Sequence, residues 1–198
     1  MSYDSIVLAS ASERRSRLLA QIGVRHEVVP ADLDELPTPG ESPASYVQRL
    51  ARDKAQTSFR ALGKRASRPV LGADTTVVLD GRIYGKPADE EDCVAMLMAL
   101  SGRCHEVLSA IALYDGVTLR EDLNVSRVSF RALDATECRR YWASGEPAGK
   151  AGAYAIQGLG AVFIARLEGS FSGVMGLPLF ETATLLDSAG VRRWRDSA

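Results

Sequence analysis

Two serines and two arginines follow directly on the apolar run of residues 6–9: Ser10, Ser12, Arg14 and Arg15. They lie where a strand pattern ends and a helical pattern begins. Ser12 suits a helix N-cap, which brings free backbone N–H groups and the positive end of the helix dipole beside these side chains. Cations in the first turn oppose that dipole unless an anion lies between them. The stretch therefore indicates a polyphosphate-binding loop rather than a solvated basic turn.

A single carboxylate interrupts the apolar, strand-like run of residues 69–79. Asp80 and Gly81 follow the run and predict a hairpin turn. Asp74 thus lies within or at the mouth of a strand, where an ionised carboxylate needs a cationic partner, a metal or a proton. We favour a functional role for Asp74 over a purely structural one. Lys86 adds a cation at the same end of the hairpin.

A lysine falls within the apolar stripe of the longest predicted helix. Ser42 followed by Pro43 predicts an N-terminus, and the helical pattern continues to residue 62, before Gly63. Lys54 shares its face with apolar residues at helical spacing. It is either a snorkelling side chain at the edge of the stripe or a functional cation, and the spacing alone leaves both open.

The last third of the chain is rich in glycine. Eight of the seventeen glycines lie between residues 145 and 176. So much glycine allows the backbone to approach a ligand closely, although a long irregular loop explains it equally well. Gly149 and Lys150 lack the glycine spacing and the following Ser or Thr of a phosphate-binding Walker loop, so a kinase or P-loop ATPase is not predicted.

The overall charge is nearly balanced, with 24 basic and 25 acidic residues among 198 and a formal net charge of -1. Such a balance argues against nucleic acid or a membrane surface as a partner. The three cysteines form no CxxC pair, so neither a disulfide framework nor a zinc site is predicted. This usage and the absence of a long apolar run predict a cytoplasmic protein.

The length predicts one domain over residues 1–198, or one domain with a small lobe, and a frayed tail at residues 191–198. Periodicity and turn signals predict an α/β order. The further predicted helices cover residues 14–22, 89–100, 134–144 and 178–186, and the further strands cover 26–29, 104–114, 124–130 and 161–165. His26 and His105 fall in predicted strands away from any metal-ligand spacing, and we interpret both as structural.

Several motifs together resemble the Maf family of nucleoside triphosphate pyrophosphatases. They are LASASERR at 8–15, ARDKA at 51–55, GADT at 72–75, GKP at 85–87, SGEP at 144–147, GKAGAY at 149–154 and GLP at 176–178. The resemblance covers nearly the whole chain. The family usually has proline before the paired arginines, where this chain has Glu13.

The resemblance implies an elongated, two-lobed α/β fold. A curved, mixed central sheet would be flanked by helices, with a nucleotide cleft between the lobes, as in related ITPase-like folds. It also implies a homodimer, a divalent metal (Mg or Mn), and hydrolysis of the bond between the α and β phosphates to a nucleoside monophosphate and pyrophosphate.

The resemblance also assigns roles to residues. Asp74 matches the proton acceptor, and Glu35, with Asp34 as the neighbouring alternative, matches a further carboxylate that would join Asp74 at the metal. The phosphate-contacting positions are Ser10, Arg15, Lys54 and Lys86. The positions linked to base selectivity are Arg14, Thr75 and Gln157. Together they resemble the branch that acts on dTTP and UTP.

Three alternatives stay open from the sequence. One is the branch that acts on 7-methyl-GTP, and another is a phosphatase that releases the γ phosphate. The third is a nucleotide-sensing regulator of septum formation, which would not require a base at Asp74. We interpret Ser10 and Ser12 as hydrogen-bond donors of the anion-binding loop rather than as nucleophiles. The sequence places no histidine to activate them and contains no GxSxG elbow.

Overall fold

The computed structural model describes residues 2–63 and 67–194. Within these residues it contains six α-helices and seven strands. The strands are β1 (Ile6–Leu8), β2 (His26–Val28), β3 (Val70–Leu79), β4 (Arg82–Tyr84), β5 (Cys104–Tyr114), β6 (Leu119–Phe130) and β7 (Ile164–Glu168). The helices are α1 (Glu13–Gln21), α2 (Pro43–Leu62), α3 (Glu90–Leu100), α4 (Ala135–Ala143), α5 (Phe171–Met175) and α6 (Leu179–Ser188).

Local signals set most helix starts. The side chains of Ser42, Asp89 and Asp134 each accept a hydrogen bond from the backbone N–H three residues later, at the N-termini of α2, α3 and α4. Pro43 occupies the first turn of α2, as predicted. None of the helices in the described residues is long and apolar enough to cross a membrane.

All seven strands join one mixed sheet in the order β2-β1-β3-β5-β6-β7, and β4 pairs with the far end of β3. The β1 strand runs parallel to β2 and β3, whereas β3, β5, β6 and β7 pair antiparallel in succession. The long β3 strand is thus central: β1 pairs with its beginning and β4 with its end. This confirms the predicted α/β class with a mixed central sheet flanked by helices.

Helices cover both faces of the sheet. One apolar cluster joins α2 to one face of β3 and β5. On the opposite face, one cluster packs α1 and α6 against the beginning of β3, and a second packs α3 and α4 against its end. Thr75 and Ser109, which are paired across β3 and β5, lie between these two clusters. The opposite face therefore carries two lobes, one that contains α1 and α6 and one that contains α3 and α4. Polar side chains of the sheet lie between them.

Three predicted boundaries are wrong. The strand predicted at 161–165 begins only at Ile164, because Leu159–Phe163 form a 3-10 helix whose first two backbone N–H groups bond to the Glu146 carboxylate instead of a neighbouring strand. The β6 strand begins at Leu119, before the predicted residue 124. The tail is ordered at its start, since Val191 is buried and pairs with Tyr3. Residues 195–198 lie outside the described residues.

Both histidines bond within the fold. The His105 ring is buried, and its Nε2 lies 2.9 Å from the hydroxyl of Tyr154. The His26 ring lies 2.7 Å from Ser16 Oγ and 3.1 Å from the carbonyl oxygen of Val24. These contacts agree with the structural interpretation of both residues.

Candidate active site

A cleft of about 780 Å³ opens between the two lobes. It is lined by parts of the first loop, α2, β3, the end of the hairpin and the glycine-rich segment. The structure brings together in this cleft all nine side chains singled out from the sequence: Ser10, Arg14, Arg15, Glu35, Lys54, Asp74, Thr75, Lys86 and Gln157.

Close packing of α2 on β3 carries Lys54 to Asp74. A Cβ atom on Gly72 would lie 2.1 Å from the carbonyl oxygen of Ala51 and 2.7 Å from the backbone nitrogen of Ala55, so only glycine allows this approach. The Lys54 ammonium then lies 2.7 Å from Asp74 Oδ1. Lys54 is therefore not a snorkelling side chain, and its position in the apolar stripe is explained by a buried ion pair.

Lys54 bridges two carboxylates. Its Nζ lies 2.6 Å from Glu35 Oε1 as well as 2.7 Å from Asp74 Oδ1. The hydroxyl of Tyr46 donates to the carbonyl oxygen of Glu35 and so fixes the acidic loop. The neighbouring carboxylate of Asp34 accepts the N–H of Leu36. Of the two acidic residues considered from the sequence, Glu35 is the one in the cleft.

The pKa values of the two carboxylates move in opposite directions. Burial raises the pKa of Asp74, although the nearby Lys54 and Arg15 oppose this change. Burial alone would also raise the pKa of Glu35, but the hydrogen bond from Lys54 and the nearby cations lower it below its ordinary value. Asp74 is thus the stronger base of the pair, and Glu35 stays ionised more readily.

Arg15 is a half-buried cation that joins the first loop to the opposite wall. Its Nε donates to the carbonyl oxygen of Gly176 at 2.8 Å, and Nη1 donates to Ser10 Oγ at 3.1 Å. Nη2 lies 3.4 Å from Thr75 Oγ1. Burial lowers the pKa of Arg15, and the charge of Asp74 opposes that shift. The guanidinium gives the cleft a fixed positive charge beside the predicted base.

The helix start at the cleft lacks a side-chain cap. Ser12 precedes α1 in extended conformation, as an N-cap does, but its side chain makes no capping hydrogen bond. Instead, its backbone N–H donates to Ser10 Oγ at 3.2 Å. Since Arg14 Nε donates to the carbonyl oxygen of Met175, both arginines are held across the cleft. The first-turn N–H groups of α1 remain suited to an anion.

The carboxylate donors fit a divalent metal that arrives with a polyphosphate. Asp74 and Glu35 each contact Lys54 through one oxygen, so the two groups converge and each has a second oxygen to offer. Mg²⁺ is commonly held by one or two carboxylates together with substrate phosphates. Within residues 2–63 and 67–194, no group of three or more His, Cys, Asp or Glu side chains is arranged to hold a metal ion.

Sequence reasoning missed further side chains that line the cleft, notably Tyr46, Lys150 and Tyr154. Burial and the charge of Arg14 lower the pKa of Lys150. Lys150 and Tyr154 belong to the GKAGAY motif. The motif drew attention to this segment, but it did not indicate that these two residues line the cleft. Tyr46 lies on α2 two turns before Lys54, where a helical wheel places it near the same face.

Two relatives that are each more than half identical to this chain carry the same name. A dTTP/UTP pyrophosphatase of Saccharophagus degradans is 52% identical over 194 residues, which cover 98% of this chain and 92% of that protein. A dTTP/UTP pyrophosphatase of Bordetella avium is 54% identical over 192 residues, covering 94% of this chain and 96% of that protein.

A solved structure also aligns with the chain. It is a nucleoside-triphosphatase / dITP/XTP pyrophosphatase from Mycobacterium abscessus, with a TM-score of 0.46 and 18% identity over 93% of this chain and 94% of that one. The sequence model described as Maf-like protein matches residues 5–189. Because this match and the two dTTP/UTP pyrophosphatases span nearly the whole chain, the protein belongs to the Maf family.

Proposed function

We propose that this protein hydrolyses dTTP and UTP, and related pyrimidine nucleotides, to the nucleoside monophosphate and pyrophosphate. The observation that carries the proposal is the buried Asp74, held by Lys54 beside Arg15 in a cleft between two lobes. The names of relatives that are 52% and 54% identical support the substrate class. The cations supply the charge that a triphosphate requires.

Asp74 is the proposed general base. It orients a water molecule and accepts its proton while the water oxygen bonds to the α-phosphorus. The bond from the α-phosphorus to the bridging oxygen breaks, and pyrophosphate leaves with that oxygen. The raised pKa of Asp74 makes it a stronger base than an exposed aspartate.

The leaving pyrophosphate needs positive charge. Arg15, Lys54 and Lys86 line the cleft and would bind the phosphate oxygens, together with the hydroxyl of Ser10. Asp74 and Glu35 would hold the Mg or Mn ion, which supplies Lewis-acid stabilisation of phosphate charge when bound. Lys54 also opposes the rise that burial causes in the pKa of Asp74 and lowers the pKa of Glu35, so it favours the ionised form of both carboxylates.

We assign base selectivity to three residues of the cleft, Gln157, Thr75 and Arg14. Gln157 has an amide oxygen and an NH₂ group, which together match the imide edge of uracil or thymine. Thr75 and Arg14 lie in the same cleft and join the two lobes through contacts to Gly176 and Met175. The names of the relatives favour the pyrimidine branch, and we assign the reading of the base to Gln157 together with Thr75 and Arg14.

Product analysis tests the proposal. Nucleoside triphosphates are incubated with Mg or Mn, and monophosphate plus pyrophosphate is resolved from diphosphate plus phosphate, for the natural protein and Asp74→Asn. We expect monophosphate and pyrophosphate from dTTP and UTP, with turnover lost in the variant. Release of the γ phosphate, or turnover of guanine nucleotides alone, would refute it. A protein that binds nucleotides equally well without turnover would instead be a sensor.

The remaining proposals concern the whole protein. We infer one domain, a homodimer and a cytoplasmic location. The family resemblance supports the dimer, and the formal net charge of -1 supports a free nucleotide rather than a nucleic acid as the substrate.

A further inference from the structure

One carboxylate holds the segment that carries Gln157. Glu146 Oε2 accepts the backbone N–H of Leu159 at 2.9 Å, and Oε1 accepts the N–H of Gly160 at 2.9 Å. These two groups follow Gln157 by two and three residues. The C-terminal side of the segment is therefore bonded to a side chain that comes from another part of the chain, the turn after α4.

A tyrosine extends the same network to the other side of the segment. The Tyr141 hydroxyl donates to Glu146 Oε1 at 2.6 Å and accepts the N–H of Ala155 at 3.1 Å. Ala155 precedes Gln157 by two residues. Burial and the hydrogen bond to Glu146 both raise the pKa of Tyr141, so its hydroxyl stays protonated and donates at neutral pH. We call Glu146 and Tyr141 the loop clamp.

The loop clamp and the segment are in direct contact. A Cβ atom on Gly158 would lie 2.0 Å from Glu146 Oε2, and one on Gly160 would lie 2.7 Å from the Tyr141 hydroxyl oxygen. A side chain at either position would push against the Glu146 carboxylate or the Tyr141 hydroxyl, so glycine at both keeps the backbone within hydrogen-bond distance of the clamp. The contact leaves little room for the segment to shift without losing hydrogen bonds.

Gln157 itself lies between the clamped residues. It is exposed at the cleft wall, so the backbone on either side sets where its amide points. A side chain that reads a base by hydrogen bonds needs its donor and acceptor held in place before the ligand arrives, because otherwise binding must also order the loop. The clamp provides that order from outside the cleft.

We infer that Glu146 is a positioning residue for base selectivity, which holds Gln157 in place through Tyr141 and the N–H groups of Leu159 and Gly160. The inference rests on the proposed function, since it assigns the clamp to the same pyrimidine site. Glu146 does not line the cleft among the described residues, so it acts only through the segment it holds.

The ionised form of Glu146 suits this role. Burial would raise the pKa of this carboxyl, but the hydrogen bonds from Tyr141, Gly160 and Leu159 outweigh it and lower the pKa below its ordinary value. A carboxylate accepts all three donors, whereas an amide has one acceptor oxygen and a competing NH₂ group. Glu146→Gln therefore breaks the clamp with almost no change in volume.

The test measures kcat and KM of Glu146→Gln for UTP and for CTP, which differ in the edge that Gln157 faces. We expect KM for UTP to rise about tenfold, which is the effect of losing a hydrogen bond to a charged group, and the preference for UTP over CTP to fall by a similar factor. We expect kcat to change less than about threefold, because Asp74 and Lys54 are bonded to each other and not to the clamp.

Coupling to Gln157 separates positioning from general damage. In a Gln157→Ala background, Glu146→Gln should no longer change the ratio of UTP to CTP, because the side chain it positions is absent. Glu137→Gln is the matched control: Glu137 is a carboxylate on α4 that accepts bonds from Arg131 and does not line the cleft. It should leave both KM values unchanged. Tyr141→Phe tests the clamp if Glu146→Gln fails to fold.

The outcomes distinguish this inference from the proposed function. Unchanged selectivity in Glu146→Gln and Tyr141→Phe, or equal effects with and without Gln157, would overturn the clamp while pyrophosphate release by the natural protein stands. If the natural protein releases no pyrophosphate, the proposed function fails. Binding of UTP and CTP in the Asp74→Asn background still measures the selectivity, and an unchanged ratio there overturns the clamp.

Discussion

At the scale of single residues, Lys54 compensates the buried charge of Asp74. Its side chain is 9% exposed and that of Asp74 is 11% exposed, so neither charge is well hydrated. Removing one partner of a buried pair leaves the other uncompensated, whereas replacing a carboxylate with an amide keeps an acceptor for the ammonium. Removing the charge of Lys54 and removing that of Asp74 should therefore change the free energy of unfolding by different amounts.

We expect Lys54→Met to lower the free energy of unfolding by about 3 kcal/mol, because it leaves Asp74 charged and buried. Asp74→Asn should cost much less, since the amide oxygen still accepts from Lys54 and the burial cost of the carboxylate disappears. Both variants should lose turnover. Urea unfolding in the presence of a chelator compares them without bound metal, and equal stabilities would contradict this account of the pair.

At the scale of elements, the approach of α2 to β3 positions the site. Ala51 and Ala55 on α2 are fully buried, and Gly72 on β3 faces the helix backbone between them. Any side chain at residue 72 meets backbone atoms, which cannot rotate away. The separation of these two elements, rather than the Lys54 side chain alone, sets the distance from Lys54 to Asp74.

We expect Gly72→Ala to destabilise the fold by about 1–3 kcal/mol or more, because α2 must move off the strand. The same movement should reduce turnover by separating Lys54 from Asp74. Gly85→Ala is the control for stability, since Gly85 has open space around its Cβ position. Thermal unfolding checks both, and a midpoint for Gly72→Ala equal to that of Gly85→Ala would show that α2 tolerates the methyl group.

Elements with strong local signals lie where the sequence predicts them. The helix predicted over residues 43–62 and the strand predicted over 104–114 match α2 and β5, because a cap and a glycine flank the helix and the Asp115–Gly116 turn ends the strand. The segment around residue 160 did not match. Its backbone N–H groups bond to Glu146, thirteen and fourteen residues earlier, and no local pattern encodes that contact.

The site residues show the same difference between what local sequence predicts and what long-range contacts decide. Charge at unusual positions drew attention to Lys54, Asp74 and Arg15, and the structure brings all three to one cleft. What the sequence did not provide was the pairing: that Lys54 contacts Asp74 and Glu35 at once depends on the packing of α2 at Gly72. Residue types indicated the chemistry, and long-range packing determined the geometry.

At the scale of the whole molecule, a buried histidine connects the glycine-rich segment to the sheet in the lobe that contains α3 and α4. His105 on β5 lies 2.9 Å from the hydroxyl of Tyr154 and packs edge-on against Phe130. Burial lowers the pKa of His105 to about 4. Since the ring is neutral in the folded protein over most of the acidic range, the stability of the whole fold depends on pH through this residue.

The sign follows from proton uptake on unfolding. Between the ordinary histidine value of about 6.5 and the folded value of about 4, the unfolded chain binds a proton at His105 that the folded protein does not. The free energy of unfolding therefore falls as the pH falls through this window, by about 3 kcal/mol at pH 4. Above pH 6.5 the residue is neutral in both states and contributes no pH dependence.

A variant that cannot titrate isolates this contribution from that of the carboxylates. His105→Phe keeps an aromatic ring beside Phe130 but leaves the Tyr154 hydroxyl unpaired, which adds a cost that does not depend on pH. We expect the advantage of the natural protein over His105→Phe to shrink by about 3 kcal/mol between pH 7 and pH 4 in urea unfolding. Parallel pH curves would mean that His105 is protonated within the folded protein at an ordinary pKa, and that the surroundings of Phe130 and Tyr154 accommodate its charge.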